Sequence, residues 1–91
     1  MKHAGGAALD RLEPLLAEVR AAGAALKEKS RGVFYLKSKA YLHFHEDSTG
    51  LYADVRAADG AAFDRLRVDE AAGASALVER VRALGQPFSQ P

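Results

Sequence analysis

From Ala40 to Glu46 the chain alternates. Ala40, Leu42 and Phe44 are apolar, and Tyr41, His43 and His45 between them carry polar or titratable groups. A period of two sends successive side chains to opposite faces of a strand. Asp47-Ser48-Thr49-Gly50 then has turn composition, and the alternation resumes with Leu51, Ala53 and Val55 against Tyr52, Asp54 and Arg56. Two alternating strands joined by a short turn predict an antiparallel hairpin with one apolar and one polar face.

The turns set a register. If Glu46 pairs with Leu51, then Phe44 faces Ala53 and Leu42 faces Val55 inside. His45 then opposes Tyr52, His43 opposes Asp54, and Tyr41 opposes Arg56 outside. Asp59-Gly60 is a strong two-residue hairpin signal and predicts a further strand over about 62–68. In that hairpin Ala53 meets Leu66 and Leu51 meets Val68 inside. Outside, Asp54 meets Arg65, Tyr52 meets Arg67 and Arg56 meets Phe63. Both hairpins agree in parity, with one exception: Asp64 points inward near the sheet margin. The apolar and aromatic run Val33-Phe34-Tyr35-Leu36-Lys37 reads as the first strand.

Helical spacing flanks the strands. Leu9, Leu12, Leu15, Leu16, Val19, Ala22 and Leu26 recur on one stripe, and Asp10-x-x-Glu13 fits a capping box with Pro14 in or just after the first turn. Alternatively Pro14 is itself the first helical residue. The spacing predicts a helix from about 11 to 28, weakened at Gly23 and broken by Ser30-Arg31-Gly32. A last helix begins near Asp69 as N-cap, with Leu77, Val81 and Leu84 on its stripe and Gly73 in its first turn. Gly85 suits its C-cap and Pro87 lies just beyond. The fold class expected is α+β, in the order α-β-β-β-β-α: a four-stranded antiparallel meander with the N- and C-terminal helices on one face. One domain spans 1–91, with an ordered core of about 8–85 and a tail over 86–91.

Composition limits what such a domain can do. The 91 residues hold no Cys, which excludes disulfides, thiolate metal sites and thiol catalysis. Nineteen residues are Ala, so the core rests on eleven Leu, six Val and a few aromatics. A core this thin favours extra burial at an interface. No serine lies in a nucleophile elbow and no glycine-rich phosphate loop occurs. Apolar runs fall short of the ~18–20 residues that cross a bilayer, and Met1-Lys2-His3-Ala4-Gly5-Gly6 has no apolar signal core, so a cytoplasmic protein without membrane contact is expected. The net charge of +1 points to no partner, but residues 27–39 carry five cations against one acid, and residues 46–70 seven acids against three arginines. Such a split can steer a partner or a second copy.

The outer face is therefore the candidate site: Tyr35, Tyr41, His43, His45, Tyr52, Asp54, Arg56, Phe63, Arg65 and Arg67. Aromatics and arginine together mark interfaces. The first expectation is a non-enzymatic module, without a cofactor, that self-associates as a homodimer or binds another protein through this face. A second is single-stranded nucleic acid, with Tyr35, Tyr41, Tyr52 and Phe63 stacking on bases and Arg56, Arg65, Arg67 and Lys37 meeting phosphates. The near-neutral charge and Asp54 at mid-face weigh against it. A third is a metal or acid–base site at His43, His45 and Asp54, since His-x-His places two imidazoles on one face about 7 Å apart. The bland alternative is a set of cross-strand pairs under water.

The segment Phe34-Tyr35-Leu36-Lys37-Ser38-Lys39-Ala40-Tyr41-Leu42-His43-Phe44, followed by Glu46-Asp47 and Gly50-Leu51, resembles the central hairpin of the YjbR-like family of small bacterial proteins. The resemblance covers about 25 of the 91 residues. It implies helices packed on one side of an antiparallel meander. Members of that family have been called DNA-binding. This chain is shorter and lacks the Trp-bearing C-terminal strands common there, so the resemblance carries over the fold and no functional residue.

Overall fold

In a computed structural model, which describes residues 1–84, the chain runs β1 (Lys2–His3), α1 (Gly6–Ala22), β2 (Leu26–Ser30), β3 (Val33–Leu36), β4 (Lys39–Asp47), β5 (Gly50–Arg56), β6 (Phe63–Arg67) and α2 (Ala71–Leu84). The expected Gly85 cap, Pro87 and the tail over 86–91 lie outside the described residues. The class is α+β with an antiparallel sheet, as the alternation predicts, but the sheet has six strands rather than four. Its order is β2-β3-β4-β5-β6, and β1 pairs with β4. Since β5 holds one edge of β4, β1 and β3 share the other, end to end.

The first helix lies earlier than the spacing suggested. It starts at Gly6, and Gly5 is an extended N-cap without a side-chain cap of its own. The Gly5 N–H instead donates to Glu46 Oε2 at 2.6 Å. Asp10 and Glu13 form no capping box: they accept from Arg31 at 2.8 and 2.9 Å. Pro14 sits inside the helix. At the other end Gly23 N–H closes the last turn on the Val19 carbonyl, and Leu26 opens a strand. Arg20 holds that strand against the helix through both oxygens of Glu28, at 2.6 and 3.0 Å. The side chains that resembled helix-end chemistry thus bind α1 to β2 and its turn.

One core lies between the helices and one face of the sheet. Leu12, Leu15, Leu16 and Val19 from α1 and Leu77, Val78 and Val81 from α2 meet Phe34, Leu42, Phe44, Leu51, Ala53 and Val55. Full burial of each Leu or Val contributes roughly 1.5–3 kcal/mol. The hairpin registers agree with the sequence reading pair for pair from Leu42↔Val55 to Glu46↔Leu51 and from Tyr52↔Arg67 to Arg56↔Phe63. The second turn is longer than two residues, since Ala57 and Ala62 close it, yet it keeps the same register. Asp64 does lie on the helix side at the margin, where its carboxylate meets Arg80 of α2 at 3.1 Å.

Tyr41 is a correction. Phe34 pairs with Leu42 and Tyr35 with Ala40, so Tyr41 is an extra residue in β4. This β-bulge turns both Tyr41 and Leu42 toward the helices. Tyr41 is 5% exposed and belongs to the core, not to the outer face. Burial pushes its hydroxyl pKa up, partly offset by the nearby Arg80.

The last helix is entered at Glu70, whose carbonyl accepts from Ala74 N–H, while the Asp69 carboxylate binds Arg67 at 2.9 Å instead of capping. Gly73 is set by packing: a Cβ there would lie 1.8 Å from the Arg67 carbonyl oxygen. Helix propensity alone favours Ala over Gly by ~1 kcal/mol. Gly73→Ala is nevertheless expected to destabilise the domain by about 1–3 kcal/mol, because the helix start must move off β6. Urea unfolding checks the sign, and a stabilised variant would contradict this packing.

Candidate metal centre

Three imidazoles meet on the outer face. His43 and His45 alternate with the core residues Leu42 and Phe44 on β4, so parity directs them away from the helices. His3 arrives from β1, whose register pairs Lys2 with Glu46 and His3 with His45. Paired residues of neighbouring strands share a face, and this places the third ring beside the other two. Ring centres lie 4.6 Å apart for His3 and His45, 4.9 Å for His43 and His45, and 5.7 Å for His3 and His43. One ring nitrogen from each residue falls within 4.8 Å of the others. His43 Nδ1 and His45 Nε2 share a hydrogen bond of 2.9 Å, whose donor depends on the tautomer.

Asp54 lies beneath this cluster. It is 8% exposed and sits 3.3 Å from His45 Nε2. Arg65 donates to both its oxygens, at 2.7 and 2.8 Å. The guanidinium holds the Asp54 carboxyl below the usual carboxylate range, against the opposing effect of burial. Asp54 and Arg65 therefore form a closed, net-neutral pair beside the histidines. Burial is also the first cause that lowers the pKa of His43, and the neighbouring His45 adds to it. His45 is lowered by burial as well, with Asp54 pulling the other way. Both rings are held toward the neutral form, which keeps a lone pair on each. Among the described residues His45 Nδ1 is shielded from solvent and has no hydrogen-bond partner of good geometry, and the Lys2 backbone favours protonation of the ring. Phe63 covers one side, its ring 5.0 Å from that of His43.

The rest of the expected face is distributed differently. Tyr35 lies at the far end under Lys29, whose Nζ is 4.2 Å from the ring centre. Tyr52 bonds Thr49 Oγ1 at 2.7 Å and has Arg67 over its ring. Arg67 also binds Asp69 and the Thr49 carbonyl. Arg56 lies over Phe63 and donates to the carbonyls of Ala40 and Gly60. With Tyr41 in the core, the remaining rings form no continuous stacking platform, and each of the three arginines already has partners within the chain. Of the candidate residues, the structure brings together His43, His45, Asp54, Arg65 and Phe63.

His3 is the member of the cluster that sequence reasoning misses. Nothing in a two-residue strand announces its partner, and the segment before residue 8 carries no helical or alternating pattern. No protein-family model, curated protein or solved structure matches the chain. The chemistry therefore rests on geometry. Zinc–imidazole bonds of 2.0–2.1 Å place tetrahedral nitrogens about 3.3 Å apart. The three nitrogens lie within 4.8 Å of one another, so the wider separations would have to close by up to roughly 1.5 Å to reach that spacing.

The lowered histidine pKa values have a stability consequence for the metal-free protein. A group whose charged form is disfavoured by folding stabilises the fold fully above its unfolded pKa, about 6.5 for histidine. That contribution is lost as the pH falls from there toward the folded values. Asp54 acts in a lower window: its contribution holds above about 3.9 and is lost as the pH falls through its depressed folded pKa. With a chelator present, the urea midpoint is expected to drop between about pH 7.5 and 5.5. Replacing both histidines, His43→Gln with His45→Gln, should flatten that slope. A midpoint constant over this range in the unaltered protein would contradict the shifts.

Proposed function

We propose that the domain is a metal-binding module that takes one divalent first-row transition ion, of the zinc type, on the outer face of its sheet. The observation that carries this reading is the convergence of His3, His43 and His45 from two strands forty residues apart in sequence. The cluster does nothing for the core, which lies on the other face. It places two half-buried rings, held toward the neutral form, nitrogen to nitrogen, where a shared ion could replace their hydrogen bond. Nitrogen donors favour zinc, nickel, cobalt or copper, whereas magnesium and calcium prefer oxygen. Three imidazoles fill three tetrahedral positions and leave a fourth for water or another ligand. The carboxylate of Asp54 is engaged by Arg65, so it serves beside the site.

This reading is preferred to self-association because the face offers little apolar area. Among the described residues, Met1 and Phe63 are the large hydrophobic side chains that stand exposed. A stable two-fold contact buries about 800 Å² per partner around an apolar centre. Single-stranded nucleic acid is disfavoured by the commitment of Arg56, Arg65 and Arg67 to partners within the chain.

Calorimetric titration of the full chain with Zn²⁺ is the test. One equivalent is expected to bind, and His43→Ala should weaken binding by about tenfold or more. Absence of binding heat with Zn²⁺ and with Ni²⁺, together with no change in thermal midpoint, would overturn the proposal.

A further inference from the structure

Resting on that metal reading, we infer that the ion acts as a clasp: its occupancy decides whether the N-terminal strand is docked on the sheet. Of the three ligands, His43 and His45 belong to β4 at the centre of the sheet and hold their places whatever β1 does. His3 alone comes from β1. The three-nitrogen site is therefore complete only when β1 is docked.

The strand has little else to hold it. It is two residues long, and both are exposed. Beyond its pairing with His45 and Glu46, the segment is fixed among the described residues by Ala4 N–H on the Phe44 carbonyl at 3.0 Å, by Gly5 N–H on Glu46 Oε2 at 2.6 Å and by the small side chain of Ala4 against the core. Met1 is 53% exposed and adds little burial. Short segments with few apolar contacts and solvent-exposed hydrogen bonds open at free energies near zero. A metal–imidazole bond to His3 adds a tie that must break before β1 can leave. By linkage, the factor by which docking improves metal affinity equals the factor by which metal improves docking.

The effect reaches α1. Gly5 is its N-cap and has no side-chain oxygen to offer the first turn. The Glu46 carboxylate that binds Gly5 N–H sits on the residue paired with Lys2. Docking β1 thus also fixes the entry to the helix whose Ala8 packs into the core. Release uncovers the edge of β4 from Phe44 to Glu46, beyond the end of β3.

Amide hydrogen exchange followed by NMR on the full chain, with and without saturating Zn²⁺, tests the clasp. Exchange of the Ala4 and Gly5 amides is expected to slow by about tenfold or more on loading. That slowing should exceed any change at Ala53 in the core. His3→Ala should still take Zn²⁺ through His43 and His45, more weakly, without added protection at residues 4 and 5. Binding heat without preferential slowing at Ala4 and Gly5 overturns the clasp and leaves the metal site standing. The same slowing in His3→Ala also overturns the clasp. Absence of binding heat overturns both.

Discussion

The parity of β4 divides this molecule in two. Leu42 and Phe44 turn to the helices, and His43 and His45 turn away, because successive strand residues alternate faces. Pairing with β5 repeats the division, since Ala53 and Val55 fall beside the apolar residues and Asp54 falls beside His43. A slip of one residue would drive the imidazoles into the core and expose the phenylalanine. The burial of Phe44 and Val55 therefore also fixes the histidines. The same strand takes β1 on its free edge, and with it the third imidazole. Core, face and candidate metal site are consequences of one register.

Charge does a different job around this frame. Arg20 and Arg31 gather Glu13, Glu28 and Asp10 into one network that joins α1, β2 and the turn after it. Its members are largely exposed, and such pairs contribute little to stability one by one. Their value is positional, for they fix where the helix ends and the strand begins. The Asp54–Arg65 pair differs because its carboxylate is buried. It neutralises a charge that β5 would otherwise bring unpaired beneath the histidines.

What the sequence disclosed follows from this difference. Hairpin registers were legible because alternation and turn composition act locally and both hairpins agree. The facing of His43 with Asp54, Asp54 with Arg65 and Arg56 with Phe63 came with them. Alternation puts Tyr41 on the wrong face because a bulge adds one residue and leaves no mark in a pattern of alternating side chains. The spacing predicts a helix from about 11 to 28 because Asp10, Glu13 and Leu26 imitate a cap and a continuing stripe. Their real partners, Arg31 and the sheet, are distant in sequence. β2 was hidden for the same reason. His3 was illegible because its role arises wholly from where β1 docks.

Two half-buried imidazoles held toward the neutral form, His43 and His45, stand with the exposed ring of His3 beside them, and the arginines of the outer face already have partners within the chain. The most direct measurement is X-ray absorption at the zinc K-edge of the loaded full chain. The account predicts three imidazole nitrogens at about 2.0–2.1 Å and one further light ligand. A first shell of oxygens, or one with a single imidazole, would contradict it.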